Sequence, residues 1–377
     1  METLAIFYGG KSAEHDISII TAQQVMAVLD KTKYKIVPIY IDKNNNWHVV
    51  KDYENMNIYA NQNFKSIKLA TGFKDKWIIK KKSIGGYKNF ERIDFCINCC
   101  HGLNGEDGTL SGIFELANMP YLGSSVLASS VGMDKVIMKD VFVANNVPCV
   151  KYQYFNACEY ETNETKIIES AEQNLGYPII VKPANLGSSI GINISKNREN
   201  LQKNIQIALN FDKKVILEQI VPNLREINCS VIGNSKYQEV SVLEEPKNWK
   251  EFLNFDEKYI LGNKNGQKKQ INVTLGKELD EQIFILSKAV FKILGCCGVV
   301  RIDFLLDDQT KQIYVNEINT IPGSYAHYLW RHKYTFAQLF DKLIDICKDE
   351  YLYRQSNVYA YESNVLNNYN RCQKINK

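Results

Sequence analysis

The 377-residue chain lacks any apolar run long enough to span a bilayer, which sets aside a protein built on transmembrane helices. It also lacks a strong charge bias. Its 46 basic and 42 acidic residues leave a net charge of +4, too slight for the concentrated basic face that nucleic-acid binding needs. The densest basic run, residues 74–92, is interrupted by Trp77, Ile78 and Ile79 and by Gly85-Gly86, and reads as a solvated hairpin. Glu2 stands where a secretory leader would carry basic residues, and the apolar stretch 4–7 is too short for a signal core. A cytoplasmic protein without membrane partners is the expectation. The 10 cysteines show no C-x-x-C spacing; Cys99-Cys100 and Cys296-Cys297 are adjacent pairs, expected as free, buried thiols. Internal repeats and low-complexity linkers are missing too.

What is present is ordinary globular composition, 45% hydrophobic and 23% charged, over a length that suggests two or three domains. Residues 4–7 form a short apolar run ending in Gly9-Gly10, a strand leaving into a tight loop. Ala22, Val25, Met26 and Leu29 follow at helical spacing, and residues 34–41 read as a second strand. Residues 95–98 make another strand before the glycine loop 101–108, and Leu110, Ile113, Phe114 and Ala117 mark the next helix. Strand, glycine loop, helix, strand is the pattern of a parallel α/β sheet, whose ligands sit at the carboxyl ends of the strands. A helix near 129–145 then leads to a strand pair, 179–182 and 191–195, joined by a glycine- and serine-rich loop. A second hairpin spans 298–306 and 312–319, and Phe336, Leu339, Phe340, Leu343, Ile346 and Cys347 mark a final helix. The expected division is 1–124, 125–222 and 223–348, with a Tyr- and Asn-rich tail over 349–377.

Ala5-Ile-Phe-Tyr-Gly-Gly-Lys-Ser12 has the outline of a loosened P-loop. Its central residues, Ile6, Phe7 and Tyr8, read as a buried strand end, so they cannot curl around phosphate. The stronger signal is the second hairpin. Arg301 and Asp303 share one strand face, as do Glu317 and Asn319, because side chains two apart point the same way. A turn centred near Thr310 would set Asp303 opposite Glu317, and two carboxylates with an amide oxygen suit Mg²⁺. In isolation, such a pair is more often a solvated face. Gly187-Ser188-Ser189 can cradle phosphate with N–H and hydroxyl donors, with Lys182 and Lys135 nearby. Glu218, ending the apolar run 215–217, could accept from an adenine amino group, with Val221 beside it.

Together these pieces resemble the D-alanine–D-alanine ligase family of the ATP-grasp superfamily. Gly9-Gly-Lys-Ser-Ala-Glu14 with Ile17-Ser18, and His101-Gly102 with Gly105-Glu-Asp-Gly-Thr-Leu110, are similar to its two N-terminal signatures. Met133-Asp-Lys135, Val181-Lys-Pro183, Gly187-Ser-Ser189, Lys258-Tyr259, Arg301-Ile-Asp303 and Glu317-Ile-Asn-Thr-Ile-Pro-Gly323 continue it in order, over roughly residues 4–347. The resemblance implies three domains, an N-terminal parallel α/β unit and two α+β lobes clamping a nucleotide.

It also implies a reaction. The carboxylate of D-alanine takes the γ-phosphate of ATP, and the amine of a second D-amino acid, D-alanine or D-serine, attacks the acyl phosphate. The dipeptide would serve peptidoglycan precursor synthesis. Lys135, Lys182, Ser188 and Ser189 are implied phosphate ligands, and Glu218, Val221 and Glu226 nucleotide contacts. Asp303, Glu317 and Asn319 are implied ligands of a pair of Mg²⁺ ions, with Mn²⁺ a substitute. Glu14 would hold the first ammonium, while Arg301 and the Gly323 N–H hold its carboxylate oxygens. Glu14, Ser188 and Tyr259 resemble a hydrogen-bonded trio closing a lid, with Lys258 adjacent to γ-phosphate or the incoming carboxylate. A homodimer is an expectation by analogy. One departure stands out: Tyr328, followed by Leu329, occupies the place of a serine that binds the second substrate. An ATP-grasp dipeptide ligase with another second substrate, or a nucleotide-binding protein without turnover, are the alternatives.

Overall fold

A computed structural model describes residues 1–61, 67–73, 76–83, 86–246 and 270–358, with backbone alone over 60–90. Its N-terminal sheet has five strands in the order Trp47–Val49, Tyr34–Ile41, Glu2–Gly9, Phe95–Asn98, Tyr121–Leu122. The last four run parallel, and Trp47–Val49 pairs antiparallel at the edge. The apolar run at residues 4–8 within Glu2–Gly9 follows from burial on both faces. Leu4, Ile6 and Tyr8 join one core with the first helix, His15–Val28, and the last, Phe336–Gln355. Ala5 and Phe7 face the other core, with Phe114 of the helix Thr109–Leu116. Ile6, Phe7 and Tyr8 are fully buried, as a strand and not a phosphate loop requires.

The basic run forms the expected hairpin, Lys76–Ser83 paired antiparallel with Gly86–Ile93, and Ile67–Phe73 adds a third antiparallel strand to it. The central unit is a four-stranded antiparallel sheet in the order Asn193–Ser195, Ile179–Pro183, Lys214–Gln219, Tyr152–Asn156. Helices Ala157–Asn174 and Arg198–Leu209 pack on it through Ile168, Ala171, Leu201 and Ile205. The helix expected over 129–145 is two, Val126–Met133 and Lys135–Ala144. Asp134 breaks it by leaving the helical region to accept from the N–H groups of Val136 and Ile137 at 3.0 and 3.2 Å.

The C-terminal sheet has six strands: Gln270–Val273, Leu243–Glu245, Leu224–Gly233, Gly298–Asp307 and Ile313–Asn319 in order, with Gln238–Val240 also against Leu224–Gly233. Its hairpin register pairs Asp303 with Glu317 and Arg301 with Asn319, as the spacing predicts. The last helix runs past the expected 347 to Gln355, and Tyr351 donates to the Asn118 carbonyl at 3.1 Å. Among the described residues no helix is long and apolar enough to cross a membrane.

Candidate active site

Three segments meet in front of the Asp303–Glu317 pair. The first comes from the carboxyl end of Glu2–Gly9. Glu14 occupies the N-cap of His15–Val28 but makes no side-chain cap bond, so its carboxylate is not spent on the helix. Ser12 ties this loop to the neighbouring one by donating to the His101 carbonyl at 2.8 Å. Ser188, on the tip of the central hairpin, donates to the Glu14 carboxylate. Ser188 and Ser189 both have left-handed backbone, with φ of 53° and 59°. Burial raises the Glu14 pKa, Glu106 raises it further, and the Ser188 bond opposes both.

The second segment is the lysine cluster. Lys135 opens its helix and donates to the Leu186 carbonyl at 2.6 Å, while its Nζ lies 3.5 Å from Glu317. Lys182, on Ile179–Pro183, pairs with Glu218 at 2.6 Å, and Lys139 reaches the other Glu218 oxygen at 3.2 Å. Burial alone would raise the Glu218 pKa, but Lys139 and Lys182 outweigh it and bring it to about 2. Burial opposes charge on Lys182 as well, and Glu218 and Glu317 reverse that. Val221 is buried beside Val150 and Leu305, and Glu226 lies close enough to add to the field on Lys182.

The third segment is the hairpin with the turn that follows it. Arg301 grips Asp303 through Nε and Nη2 at 2.7 and 2.8 Å, and the Asn319 amide meets Asp303 at 3.1 Å. Partial burial lowers Arg301 basicity, but Asp303, Tyr328 and Glu244 push it well above its usual value. This set fits Mg²⁺: its donors are hard oxygens, and each carboxylate already draws a cation, Arg301 to Asp303 and Lys135 to Glu317. Among the described residues no group of three His, Cys, Asp or Glu could hold a metal; the oxygens gathered here are two carboxylates and the Asn319 amide.

Gly323 starts a tight turn, Gly323–Leu329. Tyr328 donates to Glu244 at 2.9 Å, whereas Leu329 is fully buried in the apolar core and Tyr325 donates to the Asn98 carbonyl at 2.6 Å. Lys258 and Tyr259 lie outside the described residues. Lys139, Glu244 and Asn228 went unread in the sequence, and Glu106 was read only as part of the second N-terminal signature. For Lys139 the available signal was its i+4 spacing from Lys135 on one helix; Glu244 sits on a three-residue strand with no readable period.

The D-ala D-ala ligase N-terminus family model matches residues 3–124, and the D-ala D-ala ligase C-terminus model matches 141–345. The chain is similar to the D-alanine–D-alanine ligase of Thermosipho melanesiensis, 39% identical over 370 residues, covering 97% of this chain and 98% of that one. Against that of Staphylococcus epidermidis it is 38% identical over 368 residues, covering 96% and 99%. Among solved structures, the D-alanine–D-alanine ligase of Coxiella burnetii superposes with a TM-score of 0.78 at 26% identity, covering 94% and 96%. VanG D-Ala:D-Ser ligase of Enterococcus faecalis superposes at 0.77 with 28% identity, covering 92% and 99%. The chain therefore belongs to the D-alanine–D-alanine ligase family, ATP-dependent ligases of the ATP-grasp fold.

Proposed function

We propose that this enzyme joins D-alanine to a second D-amino acid, D-alanine or D-serine, in the cytoplasm, for peptidoglycan precursor synthesis. The observation that carries the reading is the meeting of two lobes at one point. Lys135, beside the central hairpin, stands 3.5 Å from Glu317, whose register partner Asp303 is gripped by Arg301. Such a place suits the transfer of a phosphoryl group, whose charge spreads over oxygens and calls for cations more than covalent partners.

In this reading Lys135 and Lys182 hold the phosphates, with Ser188, Ser189 and the surrounding backbone as donors. Glu218, Val221 and Glu226 hold the nucleoside. Mg²⁺ bound by Asp303, Glu317 and Asn319 supplies charge neutralisation at the phosphates. Glu14 takes the ammonium of D-alanine, and Arg301 with the Gly323 N–H orients its carboxylate. An oxygen of that carboxylate attacks the γ-phosphorus and ADP leaves. The amine of the second amino acid then attacks the acyl carbon, Arg301 and Gly323 stabilise the oxyanion, and phosphate departs as the amine loses its proton.

Phosphate release measured over pairs of amino acids with MgATP tests the reading. Release that requires D-alanine and a divalent cation is expected. Release with other amino acids alone would support the dipeptide-ligase alternative, which Tyr328 at the serine position favours. ATP binding without release for any pair would leave only a nucleotide-binding protein.

A further inference from the structure

The line of residues that crosses the C-terminal sheet does not stop at Asp303. Register pairs run from Glu317 to Asp303, to Asn228, to Glu244, one residue on each of four adjacent strands. Directly opposed residues share a sheet face, so Glu244 stands on the same side as the proposed metal carboxylates. Glu244 is fully buried, where a carboxylate persists only if it is hydrogen-bonded and near positive charge. Both conditions hold. Its Oε2 accepts from the Asn228 amide at 3.1 Å and from the Tyr328 hydroxyl at 2.9 Å, and Arg301 feels its charge.

A phenol carries one proton. Tyr328 gives that proton to Glu244, so toward a ligand its oxygen presents lone pairs and not a donor. A serine hydroxyl at the same place, with no buried carboxylate claiming its proton, would do the opposite. We propose that Glu244 is a positioning residue for the second-substrate subsite, acting through Tyr328 to fix the ring and make the phenol oxygen an acceptor. The inference rests on the ligase reading above. The substrate class it selects is a small D-amino acid that turns an N–H or O–H donor toward Tyr328, its side chain limited by the ring.

The test is steady-state kinetics on the full chain with Glu244→Gln, Tyr328→Phe and the double variant, alongside thermal unfolding of each. The readouts are the KM values for the first and second amino acid and the preference between D-alanine and D-serine as second substrate. Each single change is expected to raise the second-substrate KM about tenfold, the size of one hydrogen bond to a charged group. Both should move the D-alanine/D-serine preference in the same direction, with the KM values for ATP and the first amino acid within about twofold of wild type on that same scale. The double variant should be no worse than the weaker single, because the two residues act as one unit. With wild-type turnover intact, a Glu244→Gln enzyme that only unfolds at lower temperature, its preference unchanged, overturns this inference alone. Additive effects in the double variant do so too. Should Glu244→Gln not fold, an unchanged second-substrate KM in Tyr328→Phe decides against it. A wild-type chain without any D-amino-acid-dependent turnover overturns the ligase reading and this inference together.

Discussion

Ser188 donates a hydrogen bond to the carboxylate of Glu14, joining the tip of the central hairpin to the start of the first helix across 174 residues of chain. Two glycines make the approach possible. A Cβ on Gly102, whose φ is +71°, would stand 2.5 Å from Glu14 Oε2, and one on Gly187 would stand 3.3 Å from the same carboxylate. The carboxylate is enclosed as a result, and enclosure disfavours its charged form. Glu106 adds repulsion, while the Ser188 hydroxyl is the contact that restores some of the lost solvation.

That balance predicts a pH effect. The Glu14 pKa lies above the ordinary carboxylate value of 4.5, so Glu14 stays protonated to higher pH than an exposed glutamate. If the ionised form holds the first ammonium, kcat/KM for that amino acid falls on an acid limb above the usual carboxylate range. Ser188→Ala removes the bond that lowers the pKa and should move the limb to higher pH. Glu106→Gln removes the repulsion and should move it lower. A limb that stays put in both variants would separate Glu14 ionisation from catalysis.

Lys139 and Lys182 divide the Glu218 carboxylate between them, and all three are buried. Lys139→Met should lower stability by about 3 kcal/mol, the low end for breaking a buried ion pair because Lys182 remains. The KM for ATP should rise with it, since Glu218 is a proposed nucleoside contact. The Glu218 pKa is depressed from 4.5 to about 2, so its contribution is complete above 4.5 and is lost as pH falls toward 2. The stability gap between wild type and Glu218→Gln should therefore narrow across that window. Thermal melts at several pH values check this, and a constant gap would contradict it.

Glu317→Gln tests the metal assignment. The side chain is 30% exposed and pairs with Lys135 at 3.5 Å, so the fold should tolerate the change. Turnover at saturating ATP should drop by about 10²-fold or more, and the Mg²⁺ concentration for half-maximal rate should rise. An unaltered Mg²⁺ dependence would remove Glu317 from the donor set.

The parts of this site that the sequence exposed share one property: they are local. Arg301, Asp303, Glu317 and Asn319 were legible because strand periodicity is two and the turn lies near Thr310, although a one-residue register shift between Phe304–Val315 and Asp303–Glu317 is what brings the two carboxylates opposite each other. The helix break at Asp134 was missed although it is also local, because Asp as an N-cap competes with an otherwise unbroken apolar stripe. Glu244 and Lys139 were not legible for a different reason. A lone glutamate beside Glu245, or a lysine on a helix, is ordinarily solvated, and only contacts 84 and 79 residues away, to Tyr328 and Glu218, reveal them as buried. Leu329 shows the converse: its place next to Tyr328 in the chain says little about which side of the turn it faces, and it is fully buried.

The turn after Gly323 supplies the last prediction. Ser324, Tyr325 and Ala326 have φ of 51°, 52° and 50°, three successive left-handed residues without a glycine. Each such residue costs about 1–2 kcal/mol, so the turn does not hold itself and has to be pinned by its surroundings. The pins are visible: Tyr325 to the Asn98 carbonyl at 2.6 Å, Ser324 to Gln24 at 2.6 Å, and Trp330 to Ser230 at 3.0 Å. Tyr325→Phe keeps the ring packed against Phe340 and deletes one pin, leaving the buried Asn98 carbonyl without that donor. Stability should fall by about 1–3 kcal/mol. Because Gly323 starts the turn, kcat should fall while the KM for ATP, whose proposed contacts Lys135, Lys182 and Glu218 lie on the central unit, stays near wild type. Melting curves and kinetics on one preparation decide the matter. Lost stability with unchanged kcat would mean that the pinned turn shapes the fold but does not aim the Gly323 N–H.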